Sequence, residues 1–374
     1  MIKLILDAAD FAAALRFVSM AIERRNTIPV LGQFRLLARP QEPVILEATN
    51  LDQVLTRKVN VIGADELVTP LALILPPRPV LQFMSGAKGT VTLTYDPKEK
   101  TCSLELDGTT MRLRVMVPPE DWPDTAYGQQ LAQISAIPAD KLMNAVRASR
   151  VCVSHEETRY YLNGARFVAF RGELRVVATD GHRLSAYDIH IPWDFPGTTV
   201  PSDALGMIEK AIGPKASGKI VTATLFARGT DIADVGRVLI EGPDWTIMTK
   251  TIDGTYPDYT RVMPPDCNDL GCVMTRAALS RLHASPNNSN PVKITPSAGT
   301  MEVDSMGDGF SITAPCTNTG DMGNTASFGI ALRLLRAFCT LSDTIQLQGR
   351  GGSDPFRVIF ADPDLTCVVM PMRI

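Results

Sequence analysis

The stretch Ala178-Thr179-Asp180-Gly181-His182-Arg183-Leu184 follows a β-rich run at residues 174–178. Its Asp-Gly pair predicts a tight turn, because glycine accepts backbone angles that other residues avoid. Two polar side chains and one apolar anchor then leave the turn. The pattern has a precedent earlier in the chain, where Glu47-Ala48-Thr49-Asn50-Leu51-Asp52 parallels Val177-Ala178-Thr179-Asp180-Gly181-His182. A second echo follows each copy, Trp122-Pro123-Asp124 after the first and Tyr256-Pro257-Asp258 after the second. Spacing this wide indicates copies of a whole domain rather than a solenoid of small repeats.

Working outward, the copies number three. In the first, Asp7 reads as an N-cap with Asp10 placed to complement the helix dipole, and Phe11, Leu15, Val18 and Ile22 follow helical spacing. Residues 67–84 are apolar enough for a second helix, which Pro76, Pro77 and Pro79 must break or kink. Strands are expected at 30–38, 44–49, 90–95, 102–106 and 110–117. In the second copy the order recurs, with helices at 140–150 and 202–212 and strands at 166–170, 174–178, 220–227, 237–241 and 245–251. A third pass places helices near 275–284 and 330–341. The first helices begin near Asp7, Pro138 and Met274, about 130 residues apart. The fold class is therefore α+β, three similar domains over residues 1–127, 131–262 and 263–374, each an antiparallel sheet with two helices on one face.

The totals agree with a globular protein of several cores. The chain has 374 residues, 45% hydrophobic and 21% charged, too long for a single core. No apolar run approaches the ~20 residues of a membrane helix. The opening Met1-Ile2-Lys3-Leu4-Ile5-Leu6-Asp7 reads as a strand rather than a signal peptide, so the expected location is the cytoplasm. Seven cysteines without a C-x-x-C pattern suggest buried free thiols in a reducing compartment and no metal centre. There is no P-loop, no Gly-x-Ser-x-Gly and no metal-spaced cluster, and none of the four histidines has an evident nucleophile beside it. No cofactor is expected.

A net charge of −3 conceals a segregation. The helical interiors 11–22, 141–150, 275–284 and 329–341 hold no acidic residue, yet carry Arg16, Lys141, Arg147, Arg150, Arg276, Arg281, Arg333 and Arg336. Helix propensity favours Glu as much as Arg or Lys, so it does not account for the sorting. Basic helices beside acidic loops make one surface suited to an anion. Lys141 does not share a face with Arg147 and Arg150. A repetitive, helix-lined basic surface without an enzyme motif suits a ring around a duplex, whose phosphate contacts position without reading sequence and weaken with salt.

Taken with Arg159-Tyr160-Tyr161-Leu162-Asn163-Gly164, Asp253-Gly254-Thr255-Tyr256-Pro257-Asp258-Tyr259-Thr260-Arg261-Val262 and Val368-Val369-Met370-Pro371-Met372-Arg373-Ile374, the turn resembles the bacterial β sliding clamp, the processivity ring of the replicative polymerase. The resemblance covers the whole chain. It implies a head-to-tail homodimer forming a six-domain ring, the DNA clamp fold, with helices lining the hole. It also implies double-stranded DNA as a sequence-independent partner, an ATP-driven clamp loader, and replicative and repair polymerases that dock by short hydrophobic peptides. By the same resemblance the peptide site comprises Leu162, Thr179, Gly181, His182, Arg183, Leu184, Pro257, Arg261, Val262, Val368, Val369, Met370, Pro371, Met372 and Arg373. Leu, Val and Met give an apolar groove that can re-pack for different partners. Residues expected to face DNA are Arg25, Arg147, Arg150, Tyr160, Tyr161 and Arg276.

Some positions depart from the family pattern. Where basic residues commonly open the second helix of domains one and two, this chain has Pro70-Leu71-Ala72-Leu73 and Pro201-Ser202-Asp203-Ala204. His155-Glu156-Glu157-Thr158 is acidic, and Arg112 and Arg114 alternate with Leu113 and Val115 on a strand expected at the subunit joint. Two rival readings follow: a divergent second clamp specialised for repair, and a phosphoesterase using Asp180 and His182.

Overall fold

Asp7 closes one strand and opens one helix, its carboxylate accepting the Asp10 N–H at 2.8 Å. That junction starts the chain's repeating order. A computed structural model describes residues 1–23, 27–125, 127–229, 231–264, 271–281, 292–297, 300–305, 311–315, 317–318, 327–349 and 354–373. The first repeat runs β1 (Ile2–Asp7), α1 (Ala8–Val18), β2 (Phe34–Ala38), β3 (Val44–Thr49), β4 (Gln53–Val59), β5 (Val61–Asp65), β6 (Leu71–Leu75), α2 (Pro77–Phe83), β7 (Thr90–Asp96), β8 (Thr101–Leu106) and β9 (Thr109–Arg114). The second runs β10 (Gln130–Pro138), α3 (Ala139–Cys152), β11 (Gly164–Phe170), β12 (Glu173–Thr179), β13 (Arg183–Pro192), β14 (Thr198–Pro201), α4 (Ser202–Ile212), β15 (Ile220–Arg228), β16 (Asp231–Glu241) and β17 (Trp245–Lys250). The third runs β18 (Gly271–Thr275), α5 (Arg276–Arg281), β19 (Val292–Ser297), β20 (Thr300–Ser305), β21 (Ser311–Pro315), β22 (Thr317–Asn318), β23 (Phe328–Ile330), α6 (Leu332–Phe338), β24 (Thr344–Gln348), β25 (Phe356–Ile359) and β26 (Leu365–Val369).

The chain forms two compact units, Met1–Ile137 with Lys210–Lys215 and Lys219–Thr251, and Pro138–Glu209 with Ala216–Gly218 and Ile252–Ile374. Each unit holds two sheets. In the first unit the strand orders are β5-β1-β7-β8-β9 and β10-β15-β16-β17-β4-β3-β2-β6. In the second they are β14-β11-β12-β13-β26-β25-β24-β18-β22 and β21-β20-β19-β23. The larger sheet of each unit joins two repeats through equivalent strands. In the first unit β17 pairs antiparallel with β4, Trp245 opposite Arg57 and Thr249 opposite Gln53. In the second β26 pairs antiparallel with β13, Val369 opposite Arg183 and Leu365 opposite Tyr187.

Strand β1 alternates buried and half-buried side chains, as period-two geometry predicts for a strand covered on one face, whereas β12 is buried on both faces from Leu174 to Thr179. Leu4 and Leu6 of β1 are fully buried beneath α1, whose Phe11, Leu15 and Val18 are also fully buried. Those three are among the four residues whose spacing predicts the helix; the fourth, Ile22, lies beyond α1, after a short 3-10 turn at Ser19–Ala21. Helix α3 packs on β11, β12 and β13 in the same manner, burying Leu142, Ala145, Val146 and Ser149.

Two expectations need correction. Residues 67–84 do not form one kinked helix. Leu71–Leu75 is a strand paired with β2, and only Pro77–Phe83 is helical. Pro76 and Pro77 hold the preceding residues extended, and a proline at the first helical position costs no hydrogen bond. The cysteines, likewise, are not uniformly free: Cys102, Cys152, Cys339 and Cys367 are free and buried, whereas Cys272 is disulfide-bonded. Burial pushes the Cys102 and Cys152 thiols up to about 12, so neither is a nucleophile at neutral pH. Cys267, Cys316 and His283 lie outside the described residues.

Candidate functional site

The turn after β12 is held by its own side chains. Thr179 Oγ1 donates to the Arg183 carbonyl at 2.8 Å and accepts the Gly181 N–H at 3.1 Å. Asp180 Oδ1 accepts the His182 and Arg183 N–H groups, both at 2.9 Å, and its Oδ2 accepts Arg183 Nε at 3.0 Å. Such self-bonding is why Asp and Thr belong in turns. It also answers the phosphoesterase reading, because the Asp180 carboxylate is committed to the turn and cannot activate His182. The earlier copy repeats the arrangement. Thr49 Oγ1 donates to the Gln53 carbonyl at 2.8 Å, and Asn50 Oδ1 accepts the Gln53 N–H at 2.7 Å. Leu51 there has a φ of 75° where Gly181 has 87°.

Beneath the second turn lies an open groove of about 160 Å³, lined by Leu162, Thr179, Gly181, Arg183, Leu184, Pro257, Asp258, Tyr259, Val262, Val368 and Met370. Nine of the fifteen expected peptide residues meet there. Its floor is an apolar cluster in which Val177, Leu184, Ala186 and Val368 are buried and Tyr256 and Tyr259 pack against them. Burial pushes the Tyr256 hydroxyl well above its ordinary range. Asp258 and Tyr259 were not anticipated. Asp258 caps the turn that presents Val262, accepting the Thr260 N–H at 3.1 Å and hydroxyl at 2.6 Å. These bonds, with Arg261 Nε at 3.1 Å, hold its carboxyl below the usual carboxylate range.

The other six expected residues do not line the groove. The His182 side chain is exposed, and its carbonyl accepts the Met370 N–H at 2.8 Å, fixing the C-terminal segment. Arg261 is 83% exposed and ion-paired with Asp258. Val369 is fully buried in the sheet. Met372 donates its N–H to the Gly329 carbonyl at 2.8 Å, Pro371 is half-buried and Arg373 is exposed. At the groove's rim the Arg159 guanidinium lies over Gly181, where a Cβ would fall 2.8 Å from its Nη1. Glu156 holds it there through two hydrogen bonds of 2.8 and 2.6 Å, which also keep the Glu156 carboxyl below its ordinary value.

The residues expected to face DNA are distributed as follows. Arg147 and Arg150 both reach Glu209 of α4. Arg276 pairs with Asp343 at 3.3 Å and donates to the Cys339 carbonyl, on a groove it shares with Arg336 between α5 and α6. Tyr160 and Tyr161 meet edge-to-face at 5.9 Å between centroids, with Tyr160 55% exposed. Lys141 instead bonds Asp364, consistent with its lying off the Arg147–Arg150 face. Arg25 lies outside the described residues.

Domains repeated three times, joined through shared sheets, define the DNA clamp fold. The comparisons place the chain more closely. Residues 136–258 match the family model of the DNA polymerase III beta subunit, central domain. The chain is 28% identical to the beta sliding clamp of Proteus mirabilis over 75% of this chain and 73% of that one. It is 27% identical to the beta sliding clamp of Caulobacter vibrioides over the full length of both. The solved DnaN sliding clamp of Bartonella birtlesii, crystallised bound to griselimycin, superposes over all of both chains with a TM-score of 0.83 at 26% identity. Residues 136–258 thus match the DNA polymerase III beta subunit family by its central domain, and over its full length the chain is similar to bacterial beta sliding clamps in sequence and fold.

Proposed function

We propose that two copies of this chain close head to tail into a six-domain ring around duplex DNA. The ring holds replicative and repair polymerases, and its loader, through short hydrophobic peptides seated in the groove beneath Gly181. It is a processivity factor without catalysis, acting on the nucleoid in the cytoplasm, with domains at 1–127, 131–262 and 263–374. The observation that carries this reading is the pairing rule of the sheets. In each repeat, one strand equivalent to β4 and one equivalent to β17 stand outermost. Two pairs are made within the chain, β4 with β17 and β13 with β26. That leaves β9 and β21, one of each kind, at sheet edges among the described residues. Open edges invite pairing, and a second copy supplies both complements.

Charge supports the match. Arg112 and Arg114 are exposed on β9. Beside β21, Glu302 is exposed and Asp304 half-exposed on β20, opposite Thr313 and Ser311. Opposite signs at the two edges favour the joint over like-with-like pairing. Duplex held in such a ring needs only weak phosphate contacts, because topology retains it.

Sedimentation equilibrium at micromolar concentration tests the ring, with a species of twice 40.6 kDa expected at low and moderate salt. Retention on circular DNA, lost when the circle is cut, is the companion test. A persistent monomer would remove the ring and favour the divergent repair clamp, to which the carboxylates on Arg147, Arg150 and Arg276 also point.

A further inference from the structure

Helix α3 presents Arg147 and Arg150 one turn apart, and α4 sets a single carboxylate between them. Arg147 Nε donates to Glu209 Oε1 at 3.0 Å, and Arg150 Nη1 donates to Glu209 Oε2. Arg150 also lies along the α4 backbone, its guanidinium 3.7 Å from where a Cβ at Gly206 would stand. Both arginines remain 45% exposed while Glu209 is 22% exposed. The cations therefore face solvent with the anion tucked between them. The pattern recurs in the third repeat, where Arg276 carries Asp343.

We infer that Glu209 is an electrostatic brake on DNA contact: it engages one donor on each of Arg147 and Arg150, offsets part of their charge, and so weakens the ring's hold on the phosphate backbone. The inference rests on the clamp reading above. The groups have the geometry of a reversible competitor. Partly exposed ion pairs contribute little to stability, so a phosphate can displace the carboxylate without disturbing the fold. While the carboxylate is in place, two positive charges present a net charge of one. A ring retained by topology gains mobility from contacts that are weak and readily exchanged.

The test measures full-length wild type, Glu209→Gln and an Arg147→Ala/Arg150→Ala double variant for affinity toward a short blunt duplex, across a salt series. The fold of each is checked by thermal melting. Glu209→Gln is expected to bind more tightly than wild type at low salt. One or two additional phosphate contacts steepen the salt dependence by about 0.9 each, so its affinity should fall roughly 3- to 12-fold more than wild type's between about 50 and 200 mM salt. The double variant is expected to bind more weakly with a shallower slope. If Glu209 were only a tie between α3 and α4, Glu209→Gln would melt lower and bind no tighter, which overturns the inference. Unchanged affinity and slope in Glu209→Gln overturns it too, while retention on circular DNA leaves the clamp standing. If wild type neither binds duplex nor is retained on circles, the clamp reading falls and the inference with it.

Discussion

Replacing Gly181 by alanine tests the groove at its most constrained point. Gly181 has a φ of 87°, in the left-handed region that costs an L-residue about 1–2 kcal/mol. Reduced freedom of the unfolded chain returns roughly 0.4–1 kcal/mol, for a net loss near 1 kcal/mol. For a cooperative unit of 150–250 residues that is a drop in Tm of about 2–4 °C. The variant should still fold, because the equivalent turn already tolerates Leu51 at a φ of 75°. The new methyl also meets Arg159 Nη1 at 2.8 Å, so the guanidinium must shift away from the turn, straining the bonds that its Nε and Nη2 make to Glu156. Displaced at the rim, it crowds the groove mouth, and affinity for a short hydrophobic clamp-binding peptide should fall about tenfold, equivalent to 1.4 kcal/mol. Calorimetry gives the first quantity and fluorescence anisotropy with a labelled peptide the second. A Gly181→Ala protein that binds peptide like wild type would show that Arg159 and the turn do not shape the groove. One that melts no lower would refute the strain.

Leu184, 2% exposed in the groove floor, should cost roughly 2–5 kcal/mol on truncation to alanine, visible as a shifted denaturant midpoint; a cost under 1 kcal/mol would mean the floor can collapse. Deleting residues 370–373 removes the Met370 bond to His182 and one groove wall, and should abolish peptide binding while leaving the mass in solution unchanged. A truncated protein that still binds peptide would exclude the C-terminal segment from the site. His190 bonds Glu173 at 2.8 Å and Asp364 at 3.0 Å, with Lys141 on the far side of Asp364. The Glu173 and then the Asp364 bond raise its pKa. Its folded value thus exceeds the unfolded one near 6.5, so its stabilisation is complete below that pH and is lost as pH rises through the folded value. The melting difference between wild type and His190→Gln should therefore be larger at pH 5.5 than at 8.5, and equal differences would disprove the linkage.

Much of this structure was legible in local patterns. The Asp7 cap, the buried face of α1 and the α4 boundaries follow from residues within a few positions of each other. The echo of Thr49 by Thr179 marks two turns with the same hydrogen bonds. What escaped was non-local. The joining strands β4 and β13 were missed because Thr56, Arg57 and Lys58, or Asp188 and His190, blur the alternation. Their pairing partners are also remote, Thr56 meeting a threonine 190 residues away at 2.6 Å. The helix expected at 67–84 failed because apolar composition does not separate strand from helix in a short run, and only the proline pair marks the switch. Glu209 could not be matched to Arg147 and Arg150 from a count of acids on their own helix. Asp258 and Tyr259 lie within the 253–262 motif, but Asp258 acts by capping a turn and Tyr259 by packing on strands remote in sequence, neither of which local spacing reveals.

The strand-pairing rule has a consequence for valence. Whatever the number of repeats, a chain joined in this way keeps one unmatched edge of each kind, so each molecule is a two-ended monomer. Nothing in the edges themselves distinguishes a closed pair from a growing filament; the rotation accumulated per repeat must decide. Linking two copies in tandem would leave the ends as they are and convert the last closure into an intramolecular step, governed by effective concentration rather than by protein concentration. Such a tandem should stay closed at dilutions where the natural pair opens, separating the strength of one joint from the cost of bringing two chains together.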